Sequence, residues 1–138
     1  MQAKALPIGY WIKQVDTLLT QEINALHATL GITRLKWQIL HSIQEKEQIN
    51  FLALITLLQP FADPETVTKT LAELKNDLLL IENKDDLALT NKGIALHATC
   101  QEQQKIFRLK AMAGITEQQY EQTLATLQKI VENITSNN

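Results

Sequence analysis

Three histidines, His27, His41 and His97, and a single cysteine, Cys100, are the side chains of this chain best suited to acid–base, nucleophilic or metal chemistry. Their spacing assembles none of these. No Ser/His/Asp or Cys/His arrangement is evident, and none of the four glycines lies in a phosphate-binding loop. His97 and Cys100 stand one helical turn apart, which suits two metal ligands, but no second pair accompanies them. No enzyme, metal site or cofactor is therefore expected. Cys100, inside a helical pattern, reads as a packing residue rather than a redox switch.

A different chemistry is carried by PETVTKTLAELKNDLLL. Val67, Leu71, Leu74 and Leu78 recur at i, i+4, i+7 and i+11, so all four are expected on one buried face. The opposite face presents Glu65, Thr68, Lys69, Ala72 and Asn76, with Thr66 at the N-terminal end. Threonine hydroxyls donate or accept, and the methyl packs against a thymine methyl; Asn76 suits an adenine, and Lys69 a guanine edge or a phosphate. Lys75, Arg34, Lys36 and Lys84 are further candidates for phosphate contacts. By residue type alone, the same face is what any solvated helix presents.

These residues need a frame. Ile8, Trp11, Val15, Leu18, Leu19, Ile23, Leu26 and Leu30 fall at steps of three and four and predict an amphipathic helix over 8–30, closed by Gly31. Thr33 caps a second helix whose buried side holds Leu35, Ile39, Leu40 and Ile43. Asn50 caps a short apolar helix, FLALITLL, and a turn around Pro60, Phe61 and Ala62 leads to the Asp63-Pro64 start of the next. Leu79–Ile81 and Leu87–Leu89 read as two short strands joined by Glu82-Asn83-Lys84-Asp85-Asp86. Thr90 then caps a long polar helix to about Met112, Gly114 breaks it, and Thr116 with Gln119 forms a capping box. Tyr120, Leu124, Leu127, Val131 and Ile134 give the last helix a period near 3.5, and TSNN frays.

Composition bounds the rest. A length of 138 residues with 45% hydrophobic content permits one domain with a real core. A net charge of −2 argues against a generic polyanion-coating protein but leaves room for a local basic patch. One cysteine excludes an intramolecular disulfide framework and fits a reducing compartment. MQAKALPIGYWIKQV is a poor signal peptide, and no apolar run is long enough to span a membrane, so a cytoplasmic protein is expected.

Five stretches, in order, resemble the MarR family of winged helix-turn-helix transcription regulators. GITRLKWQILHSI, with Gly31, Thr33, Trp37 and Leu40, is similar to the family's second helix. INFLALITLL stands where its first helix-turn-helix helix lies. PETVTKTLAELKNDLLL resembles the recognition helix, and LALTNKG resembles the leu-thr-x-x-gly run that closes the wing. ITEQQYEQTLATLQKIV looks like the C-terminal dimerisation helix. The resemblance implies a mainly α fold with a two- or three-stranded antiparallel wing. It implies one MarR-like domain, with residues 1–32 and 91–138 forming dimerisation helices around a winged lobe at 33–90. It further implies a homodimer on duplex DNA, with Thr66, Thr68 and Lys69 reading the major groove and Lys75, Arg34, Lys36 and Lys84 holding the backbone. A small-molecule effector would bind where dimerisation helices meet the lobe, beside Trp11, Trp37 and His41.

The chain departs from the family pattern in three places. Glu65 opens the recognition helix where a small or basic residue is usual. The turn from Gln59 to Asp63 is longer than the family's. The wing reads Lys84-Asp85-Asp86 instead of an aspartate followed by arginines, and no arginine occurs between Arg34 and Arg108. Few phosphate contacts should mean a shallow salt dependence. The alternative is a winged-helix dimer that has lost DNA binding and meets a protein partner through FLALITLL.

Overall fold

The computed structural model describes residues 6–136. The first five residues of the stretch read as a poor signal peptide, and Asn137 and Asn138 of the tail expected to fray, lie outside the described residues. In chain order the elements are α1 (Ile8–Thr29), α2 (Arg34–Lys46), β1 (Ile49–Asn50), α3 (Phe51–Leu58), α4 (Pro64–Asn76), β2 (Leu80–Asn83), β3 (Asp86–Leu89), α5 (Asn91–Ala111) and α6 (Glu117–Thr135). They divide into two compact units, Met1–Gln104 and Lys105–Asn138.

The helix boundaries follow local chemistry. Gly31 has φ +73°, the left-handed conformation glycine adopts without Cβ conflict, and it closes α1. Thr33 accepts from the Lys36 amide, Asn50 from Leu52 and Ala53, and Asp63 from Thr66, each satisfying amides that have no partner within the helix. Thr116 and Gln119 form both bonds of the capping box. The Asp63 hydrogen bonds from Thr66 hold its carboxyl below the usual aspartate range. A group with a depressed folded pKa stabilises above its unfolded value, near 3.9, and loses that contribution as pH falls through the folded value. Asp63→Asn keeps the acceptor and removes the titration. Urea midpoints measured at pH 7 and pH 3 should therefore differ less in this variant than in the parent.

The core lies in the first unit. Ile39, Leu40 and Ile43 of α2, Leu54 and Leu58 of α3, and Val67, Leu71 and Leu74 of α4 meet Ile49, Leu79, Leu80 and Leu87. Each such side chain contributes about 1.5–3 kcal/mol by leaving water. The sheet has the order β1-β3-β2, with both pairings antiparallel. Leu87 pairs with Ile49 on one side and Glu82 on the other, so the wing has three strands.

Two local expectations change. Leu78 does not join Val67, Leu71 and Leu74: α4 ends at Asn76, Leu78 has φ +63°, and 68% of it is exposed. The left-handed residue turns the chain into β2 and swings Leu78 off the helix face. The wing connection is also shorter than five residues. Asn83 pairs with Asp86, leaving only Lys84 and Asp85 between the strands, and Lys84, not an Asn or Asp, takes the positive φ of +62°.

Candidate nucleic-acid interface and a histidine–tryptophan cluster

Asp63 and Pro64 fix the start of α4, and the buried Val67, Thr70, Leu71 and Leu74 fix its rotation. Glu65, Thr66, Thr68, Lys69, Ala72 and Asn76 are consequently exposed together on the outer face. Thr68 donates its hydroxyl to the Pro64 carbonyl at 2.7 Å, so toward a partner the hydroxyl keeps its acceptor capacity. An open groove of about 570 Å³ runs beside this face between α4 and β2, lined by Phe51, Thr68, Leu71, Ala72, Lys75, Asn76 and Glu82.

The cations differ in what holds them. Among the described residues Lys69 is in no ion pair, and Lys84 stands exposed at the wing turn. Lys75 is bound to Glu82 of β2, and Lys36 lies 3.6 Å from Glu73 of α4. Arg34 is exposed beside Asp16 and Asn24 in a cleft of about 230 Å³ between α1 and α2. Thus Thr68 and Lys69 share the exposed side of α4, with Thr66 and Lys75 at its two opposite edges, and Lys75 and Lys36 have carboxylate partners within the fold.

The histidines are not scattered, as their spacing suggested. His41 Nδ1 of α2 and His97 Nε2 of α5 are 3.0 Å apart, with ring planes inclined by only 6°. Trp37 stacks on both, at 5.1 and 4.8 Å between centroids, and His27 of α1 lies 6.0 Å from the same indole. His27 Nε2 is 2.8 Å from Gln104 Nε2, while its buried Nδ1 has no partner among the described residues. Burial lowers the pKa of His27, aided by Arg34, and that of His97, aided by His41 and opposed by Glu45. Burial pushes the Cys100 thiol up, which fits a packing residue.

Of the three residues expected to line a ligand pocket, Trp37 and His41 meet here. Trp11 does not: it lies edge-on to Tyr10 at 4.9 Å and is 40% exposed. Sequence spacing missed His97 because α5 buries Gly93, His97, Cys100 and Gln104, a small and polar face with little hydrophobic signal. The step of three to four among these four residues was the available clue. Among the described residues no group of three or more His, Cys, Asp or Glu side chains is placed to hold a metal ion.

The fold matches solved structures. MepR, a transcription regulator of the Staphylococcus aureus multidrug efflux pump MepA, aligns with a TM-score of 0.77 at 18% identity, covering 94% of this chain and 100% of its own. The fold is the MarR fold. Rv2887, a MarR-family protein of Mycobacterium tuberculosis solved in complex with DNA, aligns at 0.74 and 20% identity, covering 91% and 98%. The reduced form of MarR from E. coli aligns at 0.69 and 20% identity, covering 94% of each chain. No family model and no curated protein matches the sequence. The chain thus shares the MarR fold with structures from which about four-fifths of its aligned sequence differs. Among the described residues no helix is long and apolar enough to cross a membrane.

Proposed function

We propose that this chain is a MarR-like transcription regulator that binds duplex DNA as a cytoplasmic homodimer. One observation carries the reading: the N-terminal half of α4 presents Thr66, Thr68 and Lys69 outward, from a helix whose other face is locked into the core. In a helix-turn-helix this is the end that meets base edges in the major groove. The DNA partner is further supported by Rv2887, which was solved in complex with DNA. Lys75, Arg34, Lys36 and Lys84 are proposed to position the phosphate backbone.

Residues 33–90 form the DNA-binding lobe in this reading, and 1–32 and 91–138 the dimerisation helices. Support comes from each terminal helix separately. Ile8, Trp11, Ile12, Val15 and Leu18 are exposed along α1, and Tyr120, Leu124, Val131 and Ile134 along α6. Apolar stripes of this kind suit a symmetric helical interface. A small-molecule effector is proposed to act near Trp37 and His41.

The test is an anisotropy titration of the protein's own upstream DNA at two salt concentrations, with light scattering for the dimer. Lys69→Ala should weaken binding about tenfold and relax the preference at the base pair it reads. Absence of salt-dependent binding at low salt removes the DNA reading. A second reading, a winged-helix dimer acting on a protein partner, is favoured by one feature: Leu52, Leu57 and Phe61 are exposed, and Glu65, four residues beyond Phe61, opens α4 with a negative charge, as Asp85 and Asp86 do at the wing.

A further inference from the structure

We propose that the His41–His97 pair is a two-proton switch: it ties α2 to α5 with no proton or one proton added, and releases them when it takes a second. The tie is a single side-chain hydrogen bond, 3.0 Å from His41 Nδ1 to His97 Nε2, roofed by the Trp37 indole. Glu45 Oε1 lies 3.3 Å from the other ring nitrogen of His41, Nε2. That neighbour sets the tautomers. In the neutral pair His41 Nε2–H donates to Glu45, so His41 Nδ1 accepts, and His97 Nε2–H is the donor.

The first added proton leaves the bond in place. With one proton added, three hydrogens occupy the four ring nitrogens of the pair, so the facing Nδ1 and Nε2 still share a single hydrogen. The charge then sits between a carboxylate and the face of an indole, both of which attract it. A second proton fills the last of the four ring nitrogens, so both facing atoms carry hydrogen. There N–H would face N–H across 3.0 Å, with two positive charges and one carboxylate, and the rings must part.

The surrounding groups do not rescue the doubly charged pair. On α1, His27 lies across Trp37 and is itself held toward its neutral form by burial and Arg34. On α5, Cys100 is buried with its thiol pushed up, so it brings no negative charge. On α2, Glu45 is the carboxylate that acts on both histidines. His97 is 5% exposed, so water does not reach the second charge cheaply. With its folded pKa lowered, neutral His97 contributes stability above the ordinary histidine value near 6.5, and that contribution is lost as pH falls toward the folded value.

Trp37 is a built-in reporter, since the chain holds two tryptophans and Trp11→Phe leaves it alone. The Trp11→Phe protein is titrated from pH 8 to pH 4 while Trp37 emission, imidazole nitrogen shifts and helix content are followed. Two steps separated by more than about one pH unit are expected. The first quenches Trp37 without moving its emission wavelength and keeps the nitrogen-to-nitrogen hydrogen bond. The second abolishes that bond and shifts the emission to the red with helix content retained. In His97→Gln, whose amide keeps a neutral partner for His41, the second step disappears. Survival of the bond in the doubly protonated pair overturns the proposal, and so does a red shift that coincides with loss of helix. If His97→Gln does not fold, the nitrogen shifts of the parent protein decide alone.

Discussion

Gly93→Ala is expected to lower stability by about 3 kcal/mol, measured as the fall in unfolding free energy from urea denaturation. A Cβ at this position would stand 2.0 Å from the Leu79 carbonyl oxygen and 3.1 Å from its carbon. That carbonyl cannot simply step aside. It accepts from the Thr90 amide at 3.1 Å, and the Thr90 hydroxyl donates to Leu78 O at 2.6 Å while accepting from the Gly93 amide at 3.0 Å. Alanine would gain at most about 1 kcal/mol of helix propensity over glycine, which is smaller than the cost of moving a bonded backbone. Gly9 in α1 is the control: nothing lies within 4 Å of its Cβ position, so Gly9→Ala should hold or raise stability. Equal effects at the two positions would refute the steric account.

The double variant Glu73→Gln, Glu82→Gln is expected to bind DNA on the order of tenfold more tightly at low salt than the parent, with a steeper salt dependence. Lys36 and Lys75 are each held by one of these carboxylates. Binding a phosphate with either lysine therefore means exchanging a partner within the protein for one outside it. Exposed pairs of this kind contribute about 0–1 kcal/mol to folding, so the amides should cost little stability. Each lysine newly committed to a phosphate adds about 0.9 to the slope of log affinity against log salt. Anisotropy titrations across a salt series measure both quantities. An unchanged slope would mean that neither carboxylate keeps its lysine from the backbone.

The sequence makes the fold legible wherever the signal is local. Thr33, Asn50, Asp63 and Thr116 each cap the helix that their residue type and position predict. The buried face of α4 is readable through Leu74 because helical periodicity holds that far. It fails at Leu78, where a left-handed residue interrupts the period without a glycine to announce it. The third strand is two residues long, too short to leave a pattern, and Ile49–Asn50 is visible only through its pairing with β3. The candidate DNA face is half legible. Exposure of Thr68 and Lys69 follows from periodicity, whereas the capture of Lys75 by Glu82 depends on a contact between a helix and a strand. The histidine cluster was illegible for the same reason: His41 and His97 are 56 residues apart, and only the packing of α5 brings them together.

The acidic wing tip has a further consequence. β3 is the centre of the sheet, so among the described residues β2 leaves one side of its backbone unpaired, and an unpaired strand is a template on which another chain can add. Here that strand is four residues long and runs through Glu82 and Asn83 into Lys84 and Asp85. Short length and charge are the features that discourage such addition. Two copies brought close together would find each other's outer strands poor partners. The residues least suited to gripping a nucleic acid thus guard the protein against joining its sheets edge to edge, a safeguard against aggregation that a basic, flatter wing would have to find elsewhere.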